Sequence, residues 1–141
     1  MTRPFYETGD QRLVEHEVAE RLAHKWHATQ VAFPDGSTVD RVLVRDGRVI
    51  GLVEIKTRQT TVDQYPTYYA SHQRLQRLRY IAKALRLPPV FVVQWSDVCG
   101  WLNPAEVKPV KIDVGGRVDR GDQFDVELVE HYPTQLFRSL W

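Results

Sequence analysis

Apolar residues recur at helical three-and-four spacing in two stretches of the chain, and elsewhere the pattern shortens to the β-rich runs of strands. From about Asp10 to Thr29, Val14, Val18, Ala19, Leu22 and Trp26 share one helical face, with Asp10 placed to cap the start. Phe33-Pro34-Asp35-Gly36-Ser37 is turn chemistry, and Val39 to Val44 and Val49 to Ile55 then form two strand-like runs around Asp46-Gly47, a hairpin signal. A second helix is expected from about Tyr68 to Leu87, with Leu75, Leu78, Ala82 and Leu85 on one side and Pro88-Pro89 ending it. Val90 to Trp95 reads as a buried strand. Gly100 to Leu102 and Val126 to Tyr132 read as short strands, and Gly115-Gly116 and Arg120-Gly121-Asp122 as turns. The order helix, hairpin, helix, strand implies an α/β (α+β) fold, a mixed sheet flanked by helices. No repeat or linker divides residues 1–141, so one domain is expected.

Composition narrows the class. The 141 residues are 43% hydrophobic and 26% charged, the balance of a globular chain, and this length can bury a core without disulfides or a structural metal. The lone Cys99 has no partner, and no Cys/His cluster has zinc spacing, which suits a reducing cytoplasmic setting. No stretch is long and apolar enough for a signal peptide or a membrane span. Net charge is only +1, but its distribution is uneven: Arg74, Arg77, Arg79, Lys83 and Arg86 stand together without an acidic residue, whereas Asp119 to Glu130 is acid-rich. Asp119, Asp122, Asp125 and Glu127 lack the spacing of a calcium loop and read as part of a turn.

The chemistry concentrates in the hairpin. Side chains alternate across a strand, so Glu54 and Lys56 project from one face while Val53 and Ile55 point into a core. A three-residue loop at Asp46-Gly47 puts Asp40 opposite Glu54; a strict two-residue turn puts it opposite Val53, unless a bulge near Gly51 repairs the register. Two facing carboxylates about 5 Å apart repel by roughly 3 kcal/mol at an effective dielectric of about 20, so they need a cation between them. Lys56 supplies one charge, and Mg²⁺, which suits a few carboxylates plus waters and a phosphate, supplies the rest. Glu15 falls inside the apolar stripe of the first helix, where an unpaired charge is too costly to keep, and is therefore expected to complete the site, with Glu17 second.

Asp40, then Glu54-Ile55-Lys56 after a hairpin-sized gap, preceded by an acidic helix, resembles the PD-(D/E)XK nucleases, which include phage nucleases and Holliday-junction resolvases. The resemblance covers most of the first two thirds of the chain and implies a restriction-endonuclease-like fold, Mg²⁺-dependent hydrolysis of DNA (Mn²⁺ substituting), Asp40 and Glu54 as metal ligands, Lys56 as the residue that positions or activates water, and Glu15 completing the site. It also implies a possible homodimer. The literal Pro-Asp pair is Pro34-Asp35, so Asp35 rivals Asp40. Gln76-Arg77-Leu78-Arg79-Tyr80 resembles the Gln-x-x-x-Tyr pattern of some members, and Gln76 and Tyr80 share a polar face with Gln73 and Lys83. With Arg58 and Arg77, these residues form the expected DNA-binding set.

Each feature also has a bland reading. A Glu-x-Lys strand is usually solvated, and a basic helix face is usually just soluble. The combination carries the expectation. The alternative function is a catalytically silent nucleic-acid-binding or assembly module with the same fold, which explains the basic helix but leaves carboxylates facing phosphates unexplained.

Overall fold

Residues 9–34, 36–116 and 126–141 are described by a computed structural model. The first helix, α1 (Gly9–Lys25), buries Val18, Ala19, Leu22 and Ala23 along one stripe. It ends before the expected Thr29 because His27 takes a left-handed backbone (φ 54°), with Ala28 N–H donating to Ala23 O across the turn. Arg45 then donates to the Trp26 and His27 carbonyls, so a hairpin arginine caps the helix end.

Freed of the helix, Thr29–Ala32 forms strand β1, which the helical spacing had hidden. β2 (Arg41–Arg45) and β3 (Arg48–Thr57) make the expected hairpin, with Asp46 (φ 51°) and Gly47 (φ 74°) both left-handed in a two-residue turn. The turn alone would misplace Asp40. Arg45 pairs with Arg48 and Val44 with Val49, but Leu43 pairs with Gly51, so Ile50 is an extra residue bulged out of β3. Beyond it Arg41 pairs with Val53, which brings Asp40 opposite Glu54.

Thr67–Ser71 is a strand, β4, and not the first turn of the second helix. Its residues alternate, with Tyr68 and Ala70 buried and Tyr69 exposed, and Ser71 accepts from Arg74 N–H to cap α2 (His72–Leu85). Leu75, Leu78 and Ala82 are buried as expected, but Leu85 at the helix end is exposed. Arg86 (φ 58°) closes the helix ahead of Pro88 and β5 (Pro89–Gln94). β6 (Cys99–Leu102), β7 (Lys111–Gly116), β8 (Val126–Pro133), a 3-10 turn and β9 (Arg138–Ser139) follow. Gly115-Gly116, expected as a turn, lies inside β7 because Val129 of β8 crosses so closely that a Cβ at Gly115 would sit 2.9 Å from its methyl. The expected turn at Arg120 to Asp122, the acids Asp119, Asp122 and Asp125, and Asp35 lie outside the described residues.

Two sheets result. The larger runs β1-β2-β3-β5-β6-β9 and is mixed, since only β3 and β5 pair in parallel. The smaller runs β4-β8-β7. Pleating sorts the large sheet into two cores. Leu43, Val53, Ile55, Val90 and Val92 face α1, while Leu52, Phe91 and Val93 face α2 and the small sheet's Tyr68, Ala70 and Tyr132. Val90 to Val93 are buried without a break because both faces of β5 are covered. This is the expected mixed sheet flanked by helices. Among the described residues no helix is long and apolar enough to cross a membrane.

Candidate active site

Glu54 projects from the α2 side of β3, between Leu52 and Lys56, and is only 3% exposed. A buried carboxylate needs partners, and α2 provides one. Arg74, one turn into that helix, donates from Nε to Glu54 Oε2 (3.1 Å) and from Nη2 to Glu54 Oε1 (2.8 Å). The same Nη2 also reaches Asp40 Oδ1 at 2.7 Å. Lys56 Nζ stands 3.8 Å from Glu54 Oε2, with its side chain 40% exposed, so its amine lies at the solvent side of the cluster.

Asp40 enters from the loop before β2, where its carbonyl accepts from Phe33 N–H at 2.9 Å and fixes the backbone. Burial, and then the charge of Glu54, push its carboxyl up to about 7 against the opposing pull of Arg74 and Lys56. Arg74 is also raised, which favours its charged form: burial disfavours its charge, but the bonds and charges of Glu54 and Asp40 more than offset that. Two carboxylates and two cations thus share one pocket, and burial together with Glu54 still disfavours a charge on Asp40.

The structure brings Asp40, Glu54 and Lys56 together on one face. It does not bring Glu15 to them. The buried face of α1 packs with Val53 and Ile55, which point away from Glu54, and Glu15 on that helix is half-buried and joins no metal-holding group of acids among the described residues. Glu17 is exposed on the same helix. Among the described residues no group of three or more His, Cys, Asp and Glu side chains could hold a metal. The oxygen donors here are a pair, which is still the number Mg²⁺ uses when waters and a substrate phosphate fill its remaining positions.

Along α2, Gln76, Arg77, Arg79, Tyr80, Ile81 and Lys83 line an open groove of about 650 Å³ together with Thr38, two residues ahead of Asp40. Tyr80 is 77% exposed, while Gln76 accepts from Arg79 Nη1 at 3.0 Å. Gln73 and Arg58 are exposed but lie outside this groove; the Arg58 guanidinium sits 4.8 Å over the Tyr68 ring.

Two features escaped the sequence reading. In the sequence Arg74 reads only as part of a basic run, although it adjoins the stripe of Leu75 and Leu78. Glu130, 1% exposed, is held by Arg79, by Tyr132 O–H and by His72 Nδ1 at 2.7 Å, and ties β8 to α2. Its alternation with buried Tyr132 was the available signal.

The comparisons with known proteins agree with this layout. The chain folds like Hjc, a Holliday junction resolvase from Archaeoglobus fulgidus, with a TM-score of 0.60 at 10% identity over 94% of this chain and 93% of that one. No curated protein matches. The profile of the family described as "Phage putative PDDEXK endonuclease" matches residues 1–140. A match over nearly the whole chain settles membership: the chain belongs to this family of PD-(D/E)XK endonucleases.

Proposed function

We propose that the chain is a divalent-metal-dependent deoxyribonuclease in which Asp40 and Glu54 are the metal ligands and Lys56 serves the attacking water. The observation that carries this reading is the register of the hairpin, which sets Asp40 against Glu54 on the face that also bears Lys56. The donor set fits Mg²⁺ or Mn²⁺: hard carboxylate oxygens, few in number, held side by side in a largely buried pocket. Such an ion supplies charge stabilisation at the phosphate under attack and makes water a stronger nucleophile.

The chain's own residues divide the remaining work. Glu54 is nearly sealed from solvent and cannot reorient freely, so it fixes where the site lies. Lys56, on the solvent side, holds a water or a phosphate oxygen by donation and takes up a proton only if its amine is first made neutral. The exposed cations of α2, Arg77 and Lys83, with Tyr80 between them, offer phosphate and base contacts along the groove that begins at Thr38.

The test is incubation of the purified chain with labelled linear, nicked, branched and single-stranded DNA, with Mg²⁺ or with a chelator. Cutting that needs Mg²⁺ supports the reading, and the preferred substrate names the class. No cutting of any substrate, with DNA still bound, leaves a binding module in its place.

A further inference from the structure

Arg74 has no place in the reaction as proposed, yet it is the side chain most intimately joined to the site. Its guanidinium takes three of the four carboxylate oxygens of Asp40 and Glu54: Oδ1, Oε1 and Oε2. Nη2 lies between the two acids, 2.7 Å from one and 2.8 Å from the other. A divalent ion shared by Asp40 and Glu54 would need that same space, since it approaches carboxylate oxygens to about 2.0–2.1 Å.

We propose that Arg74 is the resident counterion of the carboxylate pair, a protein cation that competes with the divalent metal and must leave Asp40 before a metal ion can be seated. This rests on the reading of Asp40 and Glu54 as metal ligands. Formal charge makes the same point: Asp40 and Glu54 against Lys56 and Arg74 sum to zero, so the site is balanced before any metal arrives, and a divalent ion entering with Arg74 in place would meet two fixed cations.

The arginine is built to move. Its backbone is pinned, because Arg74 N–H donates to Ser71 Oγ at 3.3 Å in the first turn of α2. Its side chain is partly exposed, and among the described residues Nη1 makes no hydrogen bond. A planar guanidinium released from one carboxylate is suited to a phosphate oxygen. Arrival of a nucleic-acid phosphate would thus draw Arg74 off Asp40 and favour metal uptake, and by linkage the metal would favour phosphate binding to the same degree.

The test is calorimetric titration of Mn²⁺ alone into the wild-type chain, Arg74→Gln and Arg74→Lys, with melting curves in chelator and in Mn²⁺. The expected result is at least tenfold tighter Mn²⁺ binding by Arg74→Gln and an intermediate gain for Arg74→Lys, which keeps a charge but loses the fork. In chelator Arg74→Gln melts lower than wild type, and Mn²⁺ raises its melting temperature by more. Wild-type binding with no gain, or a loss, in the variants overturns the proposal and leaves the metal site standing. If Arg74→Gln does not fold, Arg74→Lys decides alone, and an affinity equal to wild type overturns the proposal. Failure of Mn²⁺ to bind any of the three overturns the metal reading and this inference with it.

Discussion

Asp40 stands opposite Glu54 because β3 carries one residue, Ile50, that has no partner on β2. The two-residue turn at Asp46-Gly47 sets one register, and the bulge shifts it by one before the strand reaches the site. The same displacement puts two acids side by side, with consequences for stability as well as chemistry.

Ionised Asp40 opposes folding in the absence of metal. Its carboxyl is raised from the ordinary 3.8 to about 7, by burial first and then by Glu54, so the unfolded chain loses this proton before the folded one does. The penalty is absent below about pH 4, grows between pH 4 and 7 and is constant above. Asp40→Asn removes it. In chelator at pH 8 the variant is expected to gain on the order of 1 kcal/mol, after discount for the partly exposed side chain, or about 4 °C in melting temperature, with no gain at pH 4. Melting curves across that range check both the size and the sign.

Glu130 works in the opposite direction. Burial disfavours its charge, but Arg79, Tyr132 and His72 bind the carboxylate strongly enough to hold its pKa below the ordinary 4.5. A lowered folded pKa contributes stability above about pH 4.5 that is lost as pH falls through the folded value. Glu130→Gln leaves Arg79 without its counter-charge and is expected to cost roughly 3 kcal/mol at pH 7. Denaturant unfolding should show that the gap between wild type and variant narrows towards pH 3.

The groove on α2 predicts a salt effect. Arg77→Gln with Lys83→Gln, made in a Glu54→Gln background so that DNA is bound without being cut, should weaken binding about equally on unrelated sequences. Each lost phosphate contact should flatten the dependence of log affinity on log salt by about 0.9. Affinity measured at several salt concentrations checks it, and an unchanged slope would place the DNA elsewhere.

What could be read from the chain beforehand was whatever rests on local periodicity. Glu54, Lys56 and the alternation of Val53 and Ile55 are properties of one strand, and they appear in the fold as the spacing implies. Asp40 needed a bulge that the sequence allowed but did not require. Tyr68 to Ser71 carried enough apolar residues to extend the helical stripe, and its strand character came from pairing with β8, far away in sequence. Glu15 was placed by its own helix, and which face of the sheet that helix covers is a tertiary fact that no helical wheel contains. Arg74 was hidden for the same reason: its role depends on two carboxylates delivered by other elements.

The claim that this pocket is a metal-dependent nuclease site is tested most directly by single-turnover cutting of labelled DNA by the wild-type chain and by Lys56→Gln. Lys56 is half-exposed and Glu54 keeps Arg74 without it, so the variant should fold and melt as wild type does. The account predicts cutting by wild type in Mg²⁺ and none in chelator, and a rate for Lys56→Gln lower by about a hundredfold or more. Equal rates for the two proteins, or cutting that ignores the chelator, would contradict it.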